Sequence, residues 1–260
     1  MQFNFSHEIL IELYGALKSS GYSISSIDGL MKADIDKTKK TVIIRHDVDK
    51  YPDRALKMAN LEAINDVVSI YFFRYQHLQT ASHCIDEISK LGHKIGYHYE
   101  NLANQKGNVV AAMNEFNTHL SLFRKRWDIQ FISMHGSPYS RFNNSGMWIN
   151  KDASEFDLID VSTLSSLQEF LYLTDTGGYW NNPKYNIRDK INSDLNSKYA
   201  FKATNSLIDN IKNNKLPKLL MINIHPQRWS DNPWICLLES SLQYCKNPIK
   251  YSVKLLLDLT

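Results

Sequence analysis

The stretch TVIIRHDVDKYPDRALKMANLEAI, residues 41–64, decides the fold class. Four β-branched residues open it, and TVIIR at 41–45 reads as a short strand buried on both faces. HDVDK follows directly. Pro52 then suits the first turn of a helix, where its missing N–H would have no partner anyway. Ala55, Leu56, Met58, Ala59, Leu61 and Ala63 give that helix a broad apolar face.

The alternation recurs outward from there. VVSIYFFR at 67–74 reads as a strand, 81–91 as a helix ended by Gly92, and HKIGYH at 93–98 as a third strand. Residues 108–126 read as a long helix and FISMH at 131–135 as a fourth strand. FDLIDVS at 156–162, LYLTD at 171–175 and KLLMINIHP at 218–226 read as further strands. Helices are expected over 8–18, 203–213 and 232–245, while 249–258 suits either helix or strand. Such alternation implies a parallel sheet with crossover helices. At 260 residues the chain suits one large α/β domain, and a hydrophobic fraction of 43% supplies a sizeable core.

Composition excludes several roles. The net charge is +3, and the densest basic run, KTKK at 37–40, reads as a solvated loop, so nucleic acid is not suggested as a partner. Cys84, Cys236 and Cys245 form no CxxC pair, which points to reduced thiols in a cytoplasmic protein. His7, Glu8 and Glu12 interrupt the N-terminal apolar residues, so no signal peptide is expected, and no stretch reaches the length of a membrane span.

Polar residues sit repeatedly where strands end: Asp47 and Asp49, Arg74, His98, His135, Asp175 and His225. In parallel α/β folds those ends carry the active site. Two carboxylates one residue apart share a side while strand geometry continues. Like charges so close need a cation or a proton between them. One then holds a metal while the other accepts a proton; alternatively one of them caps the helix near Pro52. His93 and His98 are five apart and face opposite ways, so His98 is the candidate ligand and His93 the structural histidine. His135 and His225 close two more strands, and imidazole with carboxylate suits zinc and related divalent ions. Arg74, Asp175, Trp180, Arg228 and Trp229 are the candidates for binding an anionic or sugar substrate. Asp175 alternatively orients a catalytic histidine or arginine, and core packing competes as a reading of either tryptophan.

The segments RHDVDKYPDRALKMANLE, SIYFFR, LGHKIGYHYE, SMHGSP, LTDTGGYW and INIHPQRW run in this order from 45 to 229. In them the chain resembles the polysaccharide deacetylase superfamily, the NodB-homology group. More narrowly it resembles the WbmS-like deacetylase-like proteins of surface-polysaccharide gene clusters. The resemblance implies a distorted (β/α) barrel of about seven mostly parallel strands over residues 41–260, with residues 1–40 as an N-terminal helical extension packed on it. It implies a divalent metal, usually Zn2+, that binds the acetyl carbonyl and a water. By position, Asp47 matches the family's catalytic base, Asp49 its metal-binding aspartate, His98 its first metal-binding histidine and His225 its general acid. MHGSPY matches the position of the family's arginine–proline loop.

Two departures stand out. The family's second metal histidine lies four residues after the first, and Leu102 occupies that position here. His135, ending a neighbouring strand, is our substitute for it. The loop also lacks its arginine, so Arg74 or Arg228 does its work, or the activity differs from deacetylation. The expected function is removal of an acetyl or similar acyl group from an amino sugar, sugar nucleotide or glycan intermediate in surface polysaccharide biosynthesis, by cleavage of an amide or ester bond. The competing expectation is an inactive deacetylase-like barrel that binds a sugar or a glycan-assembly partner. Oligomeric state is not legible in the chain.

Overall fold

Strand formation follows the β-branched and aromatic runs, and helix formation follows the capped amphipathic stretches between them. The computed structural model describes residues 4–30, 36–137, 140–162, 169–182, 184, 186, 189 and 195–258. Helix α1 (His7–Ser19) starts at Ser6, whose side chain accepts from the Ile9 N–H. The two-residue strand β1 (Ser23–Ile24) pairs with β2 (Thr41–Val48), which is buried throughout. Then follow α2 (Pro52–Ile64), β3 (Ile70–Phe73), α3 (Tyr75–Thr80), α4 (Ser82–Lys90) and β4 (Lys94–Tyr99). The chain continues through α5 (Asn101–Asn104), α6 (Val109–Arg124), β5 (Phe131–Met134), β6 (Ile159–Asp160) and β7 (Leu171–Thr174). It ends with α7 (Thr204–Lys212), β8 (Leu219–Ile224) and α8 (Pro233–Asp258).

The main sheet runs β6-β5-β4-β3-β2-β8-β7, with every neighbouring pair parallel. These seven strands curl into a half-barrel, as expected for a distorted (β/α) barrel. Side chains alternate across it with period two. Ile43, Ile70, Phe72, Phe131, Tyr172 and Met221 form one inner cluster, which joins β5 to β7 across the barrel. Val42, Ile44, Leu220 and Ile222 face the other way, against α1 and α7. Tyr71, Phe73, Ile95 and Tyr97 face α2, α4 and α6. Gly96 points inward, where a Cβ would overlap the Phe72 ring. No helix among the described residues is long and apolar enough to cross a membrane.

Two segments differ from expectation, and the structure decides a third. The strand expected over 67–74 begins only at Ile70, because Asp66 is left-handed (φ 51) and the Val67 N–H still bonds back to the Glu62 carbonyl at 2.9 Å. Residues 156–162 contribute only Ile159–Asp160 to the sheet. Before them, a 3-10 turn over Ala153–Phe156 is locked by a capping box at Asp152. The tail is helical: α8 runs through Pro248 to Asp258.

Candidate active site

The period of the strands builds the site. On β2, Ile43, Arg45 and Asp47 alternate inward, while His46 turns outward to meet Glu62 on α2. Asp49 lies just past the strand, on a tight turn in which its N–H bonds to the Asp47 carbonyl at 3.1 Å. Tyr51, left-handed at φ 54, completes that turn and Pro52 starts α2. His98 is the penultimate residue of β4, while His135 and His225 follow β5 and β8 directly.

These ends converge. Asp49 Oδ1 lies 3.5 Å from His98 Nε2 and 3.5 Å from His135 Nε2. One ligating atom from each of the three lies within 4.8 Å of the others. A tetrahedral zinc ion with ligands at about 2.0–2.1 Å separates its oxygen and nitrogen donors by roughly 3.3–3.4 Å. Asp49 Oδ1 is buried and has no hydrogen-bond partner among the described residues, a costly state for a carboxylate oxygen that a cation would relieve. Both imidazoles are held from behind: His98 Nδ1 meets the Ser133 carbonyl at 3.0 Å, and His135 Nδ1 meets Glu100 Oε2 at 3.0 Å. Such outer partners leave Nε2 free to ligate. The donor set therefore fits a divalent ion.

The charges agree with this arrangement. Burial works to raise the Asp49 carboxyl, but the His98 ring 3.5 Å away and the nearby His135 and His225 rings outweigh it and hold it well below the usual carboxylate range. Burial also opposes ionisation of Glu100, yet His135 and Arg74 bring it to about 2. Arg74 grips Glu100 through both carboxylate oxygens at 2.6 and 2.8 Å. Arg74 thus positions the carboxylate behind His135.

Asp47 is fixed by a different arginine. Arg45 Nη2 donates to both Asp47 oxygens at 2.8 Å, and Asn223 Nδ2 adds a bond at 3.0 Å. Arg45, two residues before Asp47, is the arginine that contacts Asp47, whereas Arg74 contacts Glu100 and Arg228 contacts Asp175. Asp47 Oδ2 stands 4.0 Å from His98 Nε2. On the opposite side, His225 Nε2 is 4.0 Å from Asp49 Oδ2, and its Nδ1 is 2.6 Å from Asp175 Oδ1. Burial and Arg228 both work against charging His225, but Asp175 and Asp49 prevail and raise its pKa.

The expected substrate contacts need correction. Asp175 is fully buried and accepts from Arg228 Nη1, Trp229 Nε1 and the His225 N–H, and its Oδ1 lies 2.6 Å from His225 Nδ1. Arg228, only 9% exposed, is committed to Asp175. Trp180 and Trp229 are both 0% exposed and pack against Phe5 and each other, so neither ring face is open to a sugar. Leu102 faces the outer helical core and not the site. Pro138 and Tyr139 of the MHGSPY loop lie outside the described residues.

Sequence reasoning missed Arg45, Glu100, Ser133, Asn223, Gln227 and Asp189. Gln227 Nε2 donates to Asp49 Oδ2 at 3.0 Å. Asp189 accepts from Tyr172, Thr174 and Thr176 and stands 4.0 Å from His225 Nε2. Burial opposes its charge, but His225, Arg45 and these hydroxyls bring Asp189 to about 2.

The solved structures this chain resembles are family 4 carbohydrate esterases. One is a family 4 carbohydrate esterase from Bacillus anthracis, 11% identical, covering 92% of this chain and 86% of that one with a TM-score of 0.46. A second is a family 4 pseudoenzyme from Bacillus anthracis, 10% identical, covering 83% of this chain and 63% of that one with a TM-score of 0.47. A third is a mutant of the peptidoglycan deacetylase PdaC from Bacillus subtilis, 11% identical, covering 83% and 87% with a TM-score of 0.42. No family model and no curated protein matches the sequence.

Proposed function

We propose that this chain is a metal-dependent hydrolase that removes an acetyl or similar acyl group from an amino sugar or a sugar-containing intermediate of surface-polysaccharide assembly. The observation that carries the reading is Asp49 Oδ1, buried without a hydrogen bond and 3.5 Å from two imidazole nitrogens. Asp49, His98 and His135 would hold the ion, and zinc suits their donor atoms. A divalent ion bound there supplies Lewis-acid polarisation of the acyl carbonyl.

The remaining steps belong to the side chains. Asp47, fixed by Arg45 and Asn223, takes a proton from the attacking water. His225 lies across the Asp49 carboxylate from His98, with Nδ1 anchored on Asp175. Its Nε2 delivers a proton to the departing nitrogen or oxygen. A positioned proton donor is worth about 10²–10⁴-fold in rate.

Elemental analysis and mass spectrometry test the reading together. Wild-type protein is expected to hold zinc and to strip acetyl groups from one class among acetylated amino sugars, sugar nucleotides and glycan oligomers. Asp49→Ala and Asp49→Asn are expected to lose the zinc of this site. His225→Ala is expected to keep it while turnover falls by about 10²–10⁴-fold. A zinc content in Asp49→Ala equal to that of the wild type would show the ligand set to be wrong. Zinc uptake without acyl release from any class would favour a sugar-binding barrel instead.

A further inference from the structure

A second group of ligating side chains lies outside the barrel mouth, between α2 and α4. Asp53 sits in the first turn of α2, and His83 and Cys84 sit in the first turn of α4. Cys84 Sγ is 3.3 Å from Asp53 Oδ1 and 3.2 Å from His83 Nε2. One ligating atom from each of the three lies within 4.8 Å of the others. Cys84 is fully buried, whereas Asp53 and His83 are exposed.

An acidic residue in a first helical turn ordinarily answers the helix dipole and turns to water. The Asp53 carboxylate instead meets a sulfur on a neighbouring helix. The His83 ring likewise folds back onto the residue that follows it. A tetrahedral zinc ion, with Zn–S about 2.3 Å and Zn–N or Zn–O about 2.0–2.1 Å, spaces sulfur from its other donors by about 3.5 Å. The two separations from Cys84 Sγ, 3.3 and 3.2 Å, fall just inside that value, so the side chains need little movement to close on an ion.

We propose that Asp53, His83 and Cys84 form a separate site for a thiophilic divalent cation such as Zn2+, with its outer coordination position open to solvent. The thiol proton that Cys84 now shares with Asp53 leaves to solvent when the cation binds. The bound ion ties the start of α2 to the start of α4. Asp53 lies four residues beyond Asp49, so the ion also braces the turn that carries the active-site carboxylate. The site stands independently of any role for Asp49.

Cobalt substitution separates the two sites, because only this one contains sulfur. Titrating the full-length protein with Co2+ is expected to produce a thiolate-to-cobalt charge-transfer band in the near ultraviolet. The band is expected to vanish in Cys84→Ser and to survive in Asp49→Asn. His83→Ala and Asp53→Asn, both surface changes, should each weaken the affinity read from the band by about 10-fold or more. Those two variants decide the matter if Cys84→Ser does not fold. Absence of the band at saturating Co2+, its persistence in Cys84→Ser, or its indifference to both surface variants overturns the proposal.

Discussion

At the scale of single residues, the site depends on what stands behind each ligand. His135 presents Nε2 because Glu100 holds Nδ1 at 3.0 Å, and Glu100 is itself clamped by Arg74. Glu100→Gln keeps the shape and removes the charge behind the ring. Outer carboxylate partners of this kind are worth about 10–100-fold in metal affinity. Zinc affinity, measured by competition with a chromophoric chelator, is expected to fall by that factor while the fold is retained. Unchanged affinity would show that His135 does not ligate. The missed residues were partly readable. Arg45, Ser133 and Asn223 each stand two positions before a site residue, and Glu100 two positions after one, so strand alternation puts them on the same face. Ending the first strand at 45 hid Arg45, since the strand runs to Val48. Asp189 had no such signal: it lies outside every expected strand, among Asn, Lys and Arg residues.

At the scale of elements, the packing of β3 against β4 and β5 depends on a small residue at an inward position. β4 carries Gly96 between Phe72 of β3 and the Phe131 carbonyl of β5. The Phe72 ring fills the space a side chain would take, and the Arg45 guanidinium lies 5.1 Å from that ring. A methyl group at Gly96 therefore pushes the ring toward the arginine that fixes Asp47. Overpacking of this kind costs about 1–3 kcal/mol. Gly96→Ala is expected to lower the thermal midpoint accordingly, and a midpoint equal to wild type would refute the packing argument. The order of strands and helices was legible because buried parallel strands are apolar runs separated by amphipathic helices. Strand limits were less so. A left-handed Asp66 delayed β3, and a capping box shortened β6, and neither interrupts the hydrophobic pattern. Trp180 and Trp229 sit beside strand ends in sequence, yet the packing of Phe5 from the N-terminal segment covers them, a contact no local pattern announces.

At the scale of the whole molecule, β2 separates two polar networks by its own alternation. Asp47 faces the barrel mouth, and His46, one residue earlier, faces outward into a second cluster centred on Glu62. Glu62 is fully buried and accepts from Tyr14 of α1, Tyr71 of β3 at 2.8 Å, Ser69 at 2.6 Å and His46 at 2.8 Å. One carboxylate thus links α1, α2, β2 and β3. Burial works to raise its pKa, but His46, His93 and Ser69 bring it from 4.5 to about 2. A carboxyl depressed by folding stabilises the native state fully above its unfolded value and loses that contribution as pH falls through the folded one. For Glu62 the window runs from 4.5 down to about 2, and the contribution is roughly 3 kcal/mol. Glu62→Gln is expected to lower the urea midpoint at neutral pH, because the donors around it lose a charged acceptor. The gap from wild type is expected to narrow steadily below pH 4.5, where the native carboxylate begins to lose its advantage. Urea midpoints of both proteins measured across that range decide it: a gap of constant size down to pH 2 would mean that shape, and not charge, makes Glu62 hold the helical layer to the barrel.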